Sequence, residues 1–97
     1  MKPCKRLEIV IEEPLMERMA EKLRELGAPG YTVLRRVSGM GDRGLRRADE
    51  PTGTATNCVF IVAVPPEAAT ELVEGIRPML SKYGGVCLVS DASWLRH

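Results

Sequence analysis

One stretch of this 97-residue chain concentrates residues suited to anion chemistry: Gly39-Met40-Gly41-Asp42-Arg43-Gly44-Leu45-Arg46-Arg47. Glycines without a Cβ let backbone N–H groups converge on an anion. Arg43 and Arg46 add guanidinium groups, whose planar forks suit bidentate contact with phosphate oxygens. The chemistry on offer is phosphate binding. The pattern is not a Walker A loop, because G-K-[ST] is missing, and it is not a dinucleotide fingerprint, because no helix follows the glycines. On the residues alone, a phosphate cradle and a solvated hairpin loop both stay open. Arg35, Arg36 and Arg47 read as surface charges. Asp42 and Asp49 could serve a cation or a lysine partner, or be ordinary loop polarity.

Other chemistry is poorly supplied. Cys4, Cys58 and Cys87 are odd in number, widely spaced and without a C-x-x-C pair. Cys58 and Cys87 sit in apolar runs, where a thiol behaves as a small hydrophobe. They read as buried and reduced. His97 is the one histidine, at the end of the sequence, and reads as a frayed tail rather than a general base. The Cys and His spacing does not match a metal site. No nucleophile–base pair stands out, so the chain reads as no enzyme. Trp94 is expected to pack the tail onto a neighbouring surface, with stacking on a base as the alternative.

The glycine–arginine stretch must be positioned by elements with clear periodicity. Lys5 to Ile11 alternates as a strand. Pro14 suits a first helical turn, followed by Leu15, Met19, Leu23 and Leu26 at helical spacing, with Met16 and Ala20 widening the stripe. Glu13 and Glu17 complement the helix start, and Lys22 and Arg24 its end, where Gly27 stops it. Tyr31 to Val37 is a second strand, and Asn57 to Val64 a third. Pro66 opens a second helix with a stripe of Ala69, Leu72, Val73, Ile76 and Leu80. Gly75 and Pro78 weaken it and predict a kink or an early end near Pro78. Val86 to Ser90 is the fourth strand, and Asp91 to His97 a tail. Ser38 to Thr56 belongs to no strand or helix; a loop that long is usually functional or disordered.

The order β-α-β-β-α-β predicts an α+β ferredoxin-like sandwich with an antiparallel sheet, both helices on one face, as a single domain over 1–97. The third strand is apolar on both sides: Phe60, Val62 and Val64 one way, Val59, Ile61 and Ala63 the other. A sheet with one wet face should alternate, so a second copy of the chain is expected to cover the other face. Hydrophobic residues at 44% and charged residues at 28% describe an ordinary soluble globular protein and argue against disorder. A net charge of +1 leaves no basic field to attract nucleic acid or a membrane. Met1 to Val10 lacks a signal-peptide core, and no run approaches a membrane span, so the expected location is the cytoplasm, without membrane insertion.

Gly30-Tyr31-Thr32-Val33, the run Gly39 to Arg46, Thr56-Asn57-Cys58-Val59-Phe60 and Tyr83-Gly84-Gly85-Val86 resemble PII signalling proteins over nearly the whole chain. The spacing G-x-G-x-R-x-x-R is closer to the PII-like proteins associated with bicarbonate transporters and carboxysomes. The resemblance implies a homotrimer that binds an adenine nucleotide in clefts between subunits. The implied nucleotide site is Thr32 near the base; Gly39, Met40, Gly41 and Asp42 along the phosphates; Arg43 and Arg46 gripping them; and Gly84 and Gly85. It implies a T-loop over about 39–56 that changes order with ligand and meets the partner.

Three departures narrow this reading. The G-D-G-K phosphate loop before the last strand is absent, with Lys82 the candidate substitute beside Tyr83-Gly84-Gly85; this favours ADP or AMP over ATP. The T-loop has no tyrosine for uridylylation. Asp42-Arg43 stands where a glutamine supports 2-oxoglutarate. Beyond these three, the sequence ends at His97, where some relatives carry a longer C-terminal segment, so redox control through such a segment is not expected. Bicarbonate is a candidate second ligand, and a bicarbonate transporter or carboxysome-related protein a candidate partner, so that the chain would signal inorganic-carbon or energy status. No cofactor is expected. The alternative is a nucleic-acid-binding or scaffold module, but a sheet of this topology that reads RNA needs aromatics on its central strands, and only Phe60 and Tyr31 are available.

Overall fold

Alternation in β1 (Lys2–Glu12) turns Leu7, Ile9 and Ile11 into the core and Arg6, Glu8 and Val10 to the opposite face. This is a computed structural model, and it describes residues 1–41, 44–46 and 56–96. The strand is longer than its apolar alternation suggests, because Lys2 to Cys4 pair with Trp94 to Ala92. A 3-10 turn, Glu13–Leu15, carries Pro14 and leads into α1 (Met16–Glu25), so the first turn after the proline is tighter than the expected α-helix. Met19 and Leu23 are fully buried, and Leu15, Met16, Ala20 and Leu26 pack around them.

The end of α1 is a Schellman closure. Ala28 N–H donates to the Leu23 carbonyl at 3.0 Å, and Gly27 N–H donates to Arg24 at 3.1 Å. Gly27 has φ +81°, which its missing side chain permits. The chain then enters β2 (Thr32–Val37), two short strands β3 (Gly39–Gly41) and β4 (Gly44–Arg46), and β5 (Asn57–Val64). The β3–β4 pair corrects the expectation that 38–56 holds no strand. Three-residue glycine-rich strands that pair only with each other have no apolar pattern to announce them.

The second helix, α2 (Pro66–Tyr83), starts on Pro66 as expected but does not end near Pro78. Its inner face holds it: Ala69, Leu72 and Ile76 are buried before the proline, and Met79 and Leu80 pack on the core after it. That packing overrides the local cost of proline, about 3 kcal/mol. Gly75 has a packing role as well, since a Cβ there would come 2.5 Å from Cδ2 of Leu26, the residue that caps α1. The last strand, β6 (Val86–Trp94), continues four residues past the expected Ser90, into what the sequence suggested was a tail. Its extra length is paid out along β1, as the partners Lys5–Asp91, Cys4–Ala92 and Lys2–Trp94 show.

The four long strands form an antiparallel sheet in the order β2-β5-β1-β6, with β3 and β4 a separate pair. This is the ferredoxin-like α+β arrangement that the element order predicts. Phe60, Val62 and Val64 of β5 join the helices in one core. The opposite sheet face carries Val59, Ile61 and Ala63, half-buried, beside exposed Leu34, Val86 and Leu88. Among the described residues no helix is long and apolar enough to cross a membrane.

Candidate functional site

Thr32 lines a cleft of about 330 Å³ at the start of β2, with Pro29, Gly30, Tyr31, Ile61, Ala63, Trp94 and Arg96. The sheet register builds it. Thr32 stands opposite Ile61 of β5, which stands opposite Glu8 of β1, all on the face away from the helices. Tyr31 anchors the strand start: its ring meets Phe60 at 5.1 Å between centroids, tilted by 57°. Trp94 closes the cleft from β6, and the Arg96 guanidinium lies over its ring at 5.5 Å. An apolar floor with a hydroxyl and a guanidinium at its rim suits a flat ligand carrying polar groups.

A second cluster sits where residues 38–56 leave the sheet. Arg35 Nε donates to Glu13 Oε1 at 2.9 Å, and the Thr56 hydroxyl donates to Glu13 Oε2 at 2.8 Å. Glu13 N–H also donates to the Thr56 carbonyl at 3.0 Å. The Glu13 side chain is only 9% exposed, and Thr56 is fully buried. Both hydrogen bonds stabilise the carboxylate, the one from Thr56 most, and the nearby Arg35 and Arg36 charges add to them, so the Glu13 carboxyl lies below its ordinary range. One carboxylate thus ties the end of β1 to both strands that flank the loop. Between them, β2 has a bulge after Leu34, where Arg36 takes φ +57°, a conformation uncommon for a side-chain-bearing residue.

The remaining expected site residues fall in two further places. Gly39, Met40 and Gly41 form β3, and Arg46 ends β4 opposite Gly39, so the hairpin does bring Arg46 alongside the glycines. Met40 is 82% exposed. Asp42 and Arg43, with Arg47 and Asp49, lie outside the described residues. Gly84 caps α2, its N–H donating to the Leu80 carbonyl at 2.8 Å. Gly85 follows with φ +126°, and a Cβ there would come 2.8 Å from the Val10 carbonyl oxygen. Gly85 borders a different cleft, of about 370 Å³, with Val73, Arg77, Leu80, Ser81, Val86 and Cys87. Within one chain, Thr32 and Gly84-Gly85 belong to opposite edges of the sheet, three strand spacings or about 14 Å apart.

Sequence reasoning missed Arg96, Ile61 and Ala63 as companions of Thr32, and it missed the Glu13–Arg35–Thr56 cluster. The apolar parity of β5 already placed Ile61 and Ala63 on the uncovered face, which was the available signal. Glu13 and Thr56 are 43 positions apart, and no local pattern links them. All three cysteines are free; Cys4 and Cys58 are buried and Cys87 partly so, and burial pushes the Cys58 thiol up to about 11.

Comparison with known proteins bears on this geometry directly. The family model described as "Nitrogen regulatory protein P-II" matches residues 4–97. CPII, a nitrogen regulatory PII-like protein from Thiomonas intermedia K12 bound to ADP, AMP and bicarbonate, is 32% identical. It superposes with a TM-score of 0.86 over 97% of this chain and 90% of that one. The apo form of the same protein is matched at 30% identity and a TM-score of 0.78, over 98% and 95% of the two chains. The GlnK–ATP complex of B. subtilis shares the fold, at 20% identity and a TM-score of 0.67, over 96% and 85%. With the sheet order and the helix positions in place, this chain belongs to the PII family of regulatory signalling proteins.

Proposed function

We propose that this chain is a non-enzymatic sensor that binds an adenine nucleotide in clefts between the subunits of a homotrimer. A trimer is the typical assembly of the family. The observation that carries the reading is the Thr32 cleft. It opens on the uncovered sheet face; its lining includes neither Gly39 nor Met40, and Gly85 borders the other cleft. A neighbouring copy in a symmetric assembly can bring such separated residues to one cleft, which supports the inter-subunit reading. ADP and AMP are the favoured ligands, since the sequence lacks a G-D-G-K loop, and CPII, 32% identical, is bound to both. Bicarbonate, also present with CPII, is the proposed second ligand.

The nucleotide selects one conformation of the loop over about 39–56, and a partner reads that conformation. The proposed partner is a bicarbonate transporter or carboxysome-related protein, and the proposed location is the cytoplasm. A nucleic-acid module is disfavoured by a specific observation. Phe60, the aromatic on a central strand, is fully buried against the helices rather than displayed on the open face.

Isothermal titration calorimetry with AMP, ADP and ATP, each with and without bicarbonate, tests the reading. Saturation near one nucleotide per chain is expected, with an affinity that bicarbonate changes. Arg43→Ala should weaken nucleotide binding by about one to two decades, the value of a charged hydrogen bond to phosphate. Absence of binding by every adenine nucleotide overturns the proposal. Binding that ignores bicarbonate removes the second ligand alone.

A further inference from the structure

Trp94 is the only tryptophan in the chain, and β6 carries it to the rim of the Thr32 cleft. It pairs with Lys2 in the register and sits diagonal to Cys4 on the uncovered face, a separation that an aromatic side chain spans. The residue is only partly buried, so ring surface is left to offer. Ile61 and Ala63 form the aliphatic floor below, and the Thr32 hydroxyl stands at the edge. What lies over the ring is the Arg96 guanidinium, 5.5 Å from the centroid.

A guanidinium is planar and weakly hydrated, and a ring face that accepts it also accepts a nucleobase. Exposed cation–π contacts are weak, and Arg96 is exposed, so the contact is readily exchanged. Resting on the nucleotide reading above, we propose that Trp94 is the stacking wall for the adenine base and that Arg96 holds its place until the base arrives. Trp94 is then a specificity-determining residue for an aromatic base. A ligand offering only phosphate or sugar would leave the ring under its arginine.

Tryptophan emission of the unmodified protein, titrated with ADP and AMP beside calorimetry on the same sample, tests this. The expected result is an emission change that saturates at the calorimetric midpoint, and no change with ribose 5-phosphate. Trp94→Leu should weaken ADP binding about tenfold or more, and Trp94→Phe should recover most of the loss. Circular dichroism and the mass in solution establish that both variants fold and assemble. Calorimetric binding with silent emission overturns the assignment and leaves the nucleotide reading standing, as does full ADP affinity in Trp94→Leu. Absence of any calorimetric binding overturns both.

Discussion

At the scale of single residues, Glu13 carries the clearest electrostatic consequence. Its carboxyl is held below the ordinary value of 4.5, first by the Thr56 hydroxyl and then by Arg35. A depressed carboxyl stabilises the folded chain above the unfolded value, and this contribution fades as pH falls through the folded one. Glu13→Gln should therefore unfold at a lower temperature than the parent at pH 7, and the gap should shrink as pH falls from about 5 towards 3. Thermal melts across that range check it; a gap that ignores pH would assign the loss to packing. Cys58 makes the second residue-scale prediction. With its thiol near 11 and the side chain fully buried, about one part in a thousand is thiolate at pH 8. A disulfide reagent should label Cys58 in the native protein far more slowly than in urea, with mass spectrometry identifying the site.

At the scale of elements, α2 shows tertiary packing overriding a local rule. Pro78 is exposed on a helix that continues five residues past it, and it removes the N–H that the Glu74 carbonyl would accept. Pro78→Ala should restore that bond without touching the core, and stabilise the protein by about 1–2 kcal/mol after the lost rigidity of proline in the unfolded chain is deducted. Chemical denaturation measures it. Destabilisation would mean that the helix is shaped around the proline. The charged neighbours of this element matter less. Glu74 and Arg77 pair on the exposed surface, where such bridges contribute little. The β3–β4 pair and the far end of β6 are also element-scale findings. Each depends on a partner strand rather than on its own alternation.

At the scale of the molecule, the uncovered sheet face is the dominant feature. Val10, Val59 and Ile61 lie between exposed Leu34 on one edge and exposed Val86 and Leu88 on the other, with an Arg6–Glu8 ion pair at 2.9 Å among them. A contiguous apolar face of this kind calls for a protein partner. Light scattering should give three times the 10.7 kDa chain mass, and Leu88→Glu should lower it by setting a charge on that face. A trimer mass that survives Leu88→Glu would move the interface elsewhere. Because nucleotide sites are proposed to lie between copies, the same variant should lose ADP binding along with its assembly.

The fold class, both helical stripes, the double-sided β5 and the glycine–arginine stretch are legible in the order of residues alone. These follow from periodicities of 3.6 and 2 and from glycine and proline punctuation, which act over a few residues. That order also carried the likeness to PII proteins, through motifs spread from Gly30 to Val86. That β6 runs on to Trp94 emerges only in the folded chain, since its length is set by pairing with the start of β1, some ninety positions away. Only the tertiary structure joined Glu13, Arg35 and Thr56, and set Trp94 and Arg96 beside Thr32. A cleft is a property of strand order and register, and residues distant in the chain become neighbours there without any local pattern to announce them.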